Sequence, residues 1–171
     1  KDSLGIWRFG LAVSELRQVI GDTGLLDQPV DIAFTRDSAY LVNRVRGRNR
    51  VGTVQPDDFQ RRIFRVEGER LVPCTTDLPI ADPCGIAWDP GLDDLYVLCG
   101  QQLRDEPARR RLLRLRRSEE ADRFAVTEVL TGFREPTLAG VDVSPDGQLI
   151  LVTEYGGQKL GVGFVYLLQK R

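Results

Sequence analysis

The stretch that decides the fold is Asp82-Pro83-Cys84-Gly85-Ile86-Ala87-Trp88-Asp89-Pro90-Gly91-Leu92-Asp93-Asp94-Leu95-Tyr96-Val97-Leu98. Its two apolar runs, Cys84–Trp88 and Leu95–Leu98, flank a turn rich in Asp, Pro and Gly. Short apolar runs broken by turn chemistry predict strands. The same phrase occurs upstream as Val30-Asp31-Ile32-Ala33-Phe34, the turn at 35–38, and Ala39-Tyr40-Leu41-Val42. It occurs downstream as Ala139-Gly140-Val141-Asp142-Val143, the turn at 144–148, and Leu149-Ile150-Leu151-Val152. Each copy closely follows a proline: Pro29, Pro83 and Pro136. Anchored at Asp31, Gly85 and Gly140, the intervals are 54 and 55 residues.

A second motif alternates with the first: IWRF at 6–9, IFRV at 63–66, LLRL at 112–115 and FVYL at 164–167. A third follows it at Leu16–Ile20, Arg70–Cys74 and Phe124–Leu130. With strands named a to d within a repeat, the chain reads c-d, a-b-c-d, a-b-c-d, a-b-c, or 13 strands. Turn residues account for the breaks: Pro145 presets φ, Asp146 bonds back to the backbone and Gly147 accepts a positive φ. The strongest helical stretch, Leu11–Gln18, is short and weakly patterned.

Four strands per repeat at this period predict an all-β fold, a partial β-propeller of four-stranded antiparallel blades. The expected divisions are 1–28 for the end of one blade, 29–82 and 83–135 for two blades, and 136–171 for an incomplete one. Propellers close with about four to eight blades. The chain is therefore expected to be part of a longer propeller, or to join another half from a second copy or another subunit. Met is absent, so residue 1 is not an initiator methionine.

The pattern resembles six-bladed propellers of the NHL and SMP-30/gluconolactonase/strictosidine-synthase-like superfamily. The residues that carry the resemblance are Asp82–Pro90 with Leu95-Tyr96-Val97, and Gly140–Gly147 with Leu151-Val152-Thr153-Glu154. It implies a divalent ion, usually calcium, on the channel axis, held by oxygen donors at the starts of blades. The matching positions here are Val30, Cys84 and Ala139, none of which is an oxygen donor. No metal, cofactor or catalytic residue is therefore expected within the chain. Asp31, Asp142 and Glu154 remain as channel-facing candidates. The function expected is a non-catalytic binding or structural scaffold in a larger assembly. The alternative is part of a metal-dependent lactonase, hydrolase or strictosidine-synthase-like enzyme whose active-site residues lie mainly elsewhere.

Composition narrows the chemistry further. Histidine is absent, which removes Ser-His-Asp and Cys-His catalysis and His-ligated metals from this chain. The net charge is -1, which predicts no general affinity for nucleic acid or anionic membrane. No apolar run approaches the roughly 18 residues of a membrane span. Cys74, Cys84 and Cys99 read as small buried hydrophobes, with a Cys74–Cys84 bridge left open. Arginine concentrates in two connections. Arg44, Arg46, Arg48 and Arg50 alternate along one stretch, and Arg104, Arg109, Arg110 and Arg111 begin a second group. Surface ion pairing with the acidic d–a connections explains both groups, and a ridge that docks an acidic protein partner is the sharper reading. Glu119, Glu120 and Asp122 follow the second group directly, against nucleic-acid binding. The family resemblance leans towards an exported protein, periplasmic or extracellular.

Overall fold

A computed structural model of the chain describes residues 6–9, 16–20, 26, 28–44, 62–78, 80, 82–100, 110–120, 122–133, 137–155 and 163–170. These residues form strands and turns with no helix among them. The thirteen strands are β1 Ile6–Phe9, β2 Leu16–Ile20, β3 Gln28–Phe34, β4 Ala39–Arg44, β5 Ile63–Glu67, β6 Arg70–Thr76 and β7 Pro83–Asp89, followed by β8 Asp94–Cys99, β9 Arg111–Arg117, β10 Arg123–Leu130, β11 Thr137–Val143, β12 Leu149–Tyr155 and β13 Gly163–Gln169. Every strand overlaps an apolar run read from the sequence, extended by one to three residues where polar ends continue the ladder. No helix among the described residues is long and apolar enough to cross a membrane.

Pairing follows the repeat. β3–β6 and β7–β10 are antiparallel meanders, each strand beside its neighbour in sequence. β11–β12–β13 repeats the first three strands, and β1 pairs with β2 apart from them. A short parallel bridge, Arg123 with Thr75 and Phe124 with Thr76, links the outer strands β6 and β10. It joins the two meanders into one curved sheet of 8 strands. The first strands lie side by side, β3 next to β7 and β7 next to β11, so the sheets fan out from a common inner edge. A Cβ on Gly85 would meet Val141 at 3.3 Å, which is why a small residue stands where β7 and β11 pass closest.

Hydrophobic burial holds the fan together. Tyr40, Val42, Ile63 and Cys74 of one meander pack against Ile86, Leu95, Val97, Leu113, Leu115 and Phe124 of the next. Leu98 and Leu112 on its other face pack against Leu138, Ile150 and Val152. Each interface is cross-linked by a cation at the end of a third strand. The Arg117 guanidinium lies over the Tyr40 ring at 5.6 Å, donates to the Tyr40 hydroxyl and pairs with Asp37 at 3.2 Å. One repeat later, the Lys170 ammonium lies 6.0 Å from the Tyr96 ring and pairs with the buried Asp89. Asp89 Oδ1 also accepts from Gly91 N–H at 3.0 Å, which ties down the a–b turn. Trp88 is partly buried against the first interface, and its indole N–H donates to Asp93 at 3.0 Å.

Candidate functional site

The end of the fan where β3, β7 and β11 begin gathers six buried polar side chains, Asn43, Arg44, Arg62, Asp82, Arg110 and Glu154, while Asp89 and Asp94 lie at the opposite end by the a–b turn. All three first strands carry an irregularity at the same register. Pro29 faces Asn43 and Asp31 faces Val42, leaving Val30 as the extra residue. Cys84 is the extra residue between Pro83 and Gly85, and Ala139 the one between Leu138 and Gly140. An extra residue in one strand bends it and re-aims its side chains. The three positions without an oxygen donor are thus the three bulge positions. Cys84 uses its place to direct its thiol at the Leu98 carbonyl, 3.4 Å away.

The same register carries a set of which the sequence had singled out only Glu154. Asn43, Cys99 and Glu154 face Pro29, Pro83 and Leu138 across the ladder, and all three are buried. Asn43 Oδ1 accepts from Gln28 N–H at 3.0 Å, closing the start of β3. Glu154 Oε2 accepts from the Tyr166 hydroxyl at 2.7 Å. Beside them Arg44 Nε lies 2.7 Å from Asp82 Oδ1, a pair almost wholly removed from solvent. Asp82 holds a positive φ of 47°, and its carbonyl accepts from Gly100 N–H at 2.9 Å. Arg62 and Arg110 are also buried, and Arg111 is half-buried. Breaking one partner of such a buried pair costs more than the pair itself contributes.

The arginines and carboxylates singled out from the sequence fall into distinct surroundings. Arg44, Arg110 and Arg111 belong to this interior set, while Arg46, Arg48, Arg50, Arg104 and Arg109 lie outside the described residues. Asp31 is half-buried and spends both oxygens on backbone amides. Oδ1 accepts from Ile32 N–H at 2.9 Å, and Oδ2 accepts from Ile86 N–H on the neighbouring first strand at 3.0 Å. Asp142 is exposed and accepts from Val143 N–H at 2.8 Å.

The cysteines are buried with no disulfide among them, so the bridge left open between Cys74 and Cys84 does not form. Burial pushes the Cys74 and Cys99 thiols up to about 12. The nearby Asp122 charge adds to the rise at Cys74, and Arg111 partly opposes it at Cys99. Thiols held neutral in this way are neither nucleophiles nor metal ligands.

A divalent ion of the kind the resemblance implies does not fit these residues. Calcium takes six to eight oxygens. Among the described residues no three His, Cys, Asp or Glu side chains converge on one point. Asp31 accepts a backbone amide on each oxygen, and Asp82 is bound to Arg44.

The radial fan has counterparts among solved structures. A gluconolactonase from Xanthomonas campestris superposes with a TM-score of 0.59 at 15% identity, covering 88% of this chain and 49% of that one. The periplasmic gluconolactonase of Pseudomonas aeruginosa superposes with a TM-score of 0.55 at 18% identity, covering 95% of this chain and 45% of that one. The fold is that of a β-propeller. The chain spans about half the length of these two propellers. No protein-family model and no curated protein matches the sequence. The polar end described above is the end of the propeller sheets where their first strands start.

Proposed function

We propose that these sheets form part of a propeller enzyme that hydrolyses a cyclic ester of the sugar-lactone class. The observation that carries this reading is the superposition of nearly the whole chain on two gluconolactonases. It favours the enzyme alternative over the non-catalytic scaffold, which draws no support from these likenesses; nor do a protein-binding role or an oligomer. In the proposed reaction water adds to the lactone carbonyl and the ring C–O bond breaks. The ring oxygen takes a proton, and a hydroxy acid results. The described residues supply the wall and the interior polar set at one end of the sheets. The groups that activate water are assigned to residues beyond them, because Asp31 and Asp82 are already engaged.

The test is a pH-stat assay of the polypeptide carrying these residues with glucono-δ-lactone near neutral pH. Acid release well above the spontaneous rate is expected. Release at the spontaneous rate from a folded, complete ring overturns the reading.

A further inference from the structure

The outer strands of a radial fan diverge from one another, yet β6 and β10 meet at Thr75–Thr76 and Arg123–Phe124. The contact is built around Asp122, the last residue of the turn between β9 and β10. Its carbonyl accepts from Thr75 N–H at 2.8 Å. Its carboxylate accepts from two nitrogens of the Arg65 guanidinium, Nε at 2.5 Å and Nη2 at 3.2 Å. Arg65 lies on β5, 57 residues away, so the pair joins the third strand of one sheet to a turn of the next. Two more bonds continue the contact along the strands. Asp77 N–H donates to the Phe124 carbonyl at 3.3 Å, and Val126 N–H donates to Asp77 Oδ1 at 2.8 Å. Cys74 and Phe124, beside the contact, are buried in the core between the two sheets.

Asp122 makes these bonds from a backbone conformation that suits another residue better. Its φ is 63°, in the left-handed region, which Asp tolerates less well than glycine. The turn between β5 and β6 meets the same demand with a glycine, Gly68, at a φ of 58°. An Asp kept in such a conformation points to a task for its side chain. We propose that Asp122 is a latch that fastens the outer rims of the first two sheets, and that the rim opens there as one unit, ahead of the rest of the fold, when the latch releases. Paired N–H···O bonds from a guanidinium to a carboxylate are among the strongest polar contacts. The Arg65 and Asp122 side chains are 23% and 18% exposed, so they can part without unpacking the core. At the inner edge the same two sheets are tied separately, through Asp31 and Ile86 N–H. This inference is independent of the lactone reading, since it concerns the rim and not the polar end.

The test is native-state hydrogen exchange of the 171-residue chain and its Asp122→Gly, Asp122→Asn and Arg65→Met variants. Glycine suits the backbone at position 122, so that variant folds. None of the substitutions adjoins Thr75, Asp77 or Val126, so the intrinsic exchange rates of those amides are unchanged. In the parent the three amides should share one protection factor, because one opening releases them. In Asp122→Gly all three should exchange at least tenfold faster, while Ile86 N–H at the inner edge stays within twofold of its parent rate. Asp122→Asn keeps one acceptor oxygen for Arg65 and should fall between the two. Arg65→Met should match Asp122→Gly, and combining the two should add nothing. Parent rates at the three amides in Asp122→Gly or in Arg65→Met overturn the proposal, since Asp122 would then be a turn former that glycine replaces. Exchange of Ile86 N–H that quickens by the same factor as the rim also overturns it, because Asp122 would then stabilise the whole fold and latch no rim.

Discussion

Asp31 stands where the other two copies of the motif carry Gly85 and Gly140. The sequence marks the departure but not its purpose, because the amide that uses it, Ile86 N–H, is 55 residues away. Ile86 is 3% exposed, so losing its acceptor strands a buried donor. Asp31→Ala should therefore destabilise the chain by about 1–3 kcal/mol, and Asp31→Asn, which keeps one acceptor oxygen, by less. Urea unfolding of the two variants measures this, and equal stability of Asp31→Ala and the parent would remove the inter-sheet role. The thiols make a second residue-level statement. Cys74 and Cys99 ordinarily ionise near 9.0 and are pushed to about 12 in the fold. Tyr96 is pushed from 10.0 to about 12, by burial first and then by the Asp89 charge. The folded state thus holds protons that the unfolded chain releases. Their stabilising contribution is complete below pH 9 and is lost as pH rises from about 9 to 12. The urea midpoint should fall across that window and not before it, and the thiols should resist alkylation at pH 8 until the chain unfolds. Rapid labelling of the native chain would show that they are accessible.

At the level of strands, the sequence is a good guide because each strand is a local event. An apolar run such as Leu95–Leu98 and a turn such as Ser144–Gln148 are decided by neighbours, so all thirteen strands follow from the pattern. The links between sheets are not local and were not legible. Arg117 and Tyr40 are 77 residues apart, and nothing in either motif announces the contact. Only the recurrence of the arrangement at Lys170 and Tyr96 shows that it belongs to the repeat. The two pairs do the same work with different cations, and both combine attraction to a ring face with an ion pair, to Asp37 in one and Asp89 in the other. Arg117→Leu should cost about 1 kcal/mol, since a cation over an aromatic ring at a partly exposed site contributes roughly that amount. Combined with Tyr40→Leu, the loss should be less than additive by about 0.5 kcal/mol or more, as expected for residues in contact. Strict additivity in the double-mutant cycle would mean that the two side chains stabilise the fold separately.

For the whole molecule, the propeller was legible from the period of the repeat, while the polar end was legible only in part. Asn43, Arg62 and Asp82 come together through ladder register and bulges, which no single motif encodes. Register also shows that the third sheet's outer face matches the faces that a neighbouring sheet covers in the first two. Ile63, Leu112 and Val165 hold corresponding places facing Val42, Leu98 and Thr153. The first two are 1% and 3% exposed because the next sheet covers them, whereas Val165 is 67% exposed. Leu167 and Leu151, paired across β12 and β13, extend the same face at 64% and 39%. A contiguous apolar face of this kind drives association in water. The 171-residue chain should therefore self-associate at micromolar concentration through this face. The double substitution Val165→Thr with Leu167→Lys should return it to a monomer in sedimentation velocity, with an unchanged circular-dichroism spectrum. Both side chains are exposed, so the substitutions remove contacts between molecules without opening a cavity within one. Association that persists in the double variant would place the contact elsewhere. A parent chain that stays monomeric at tens of micromolar would show that the face is not apolar enough to need a neighbour.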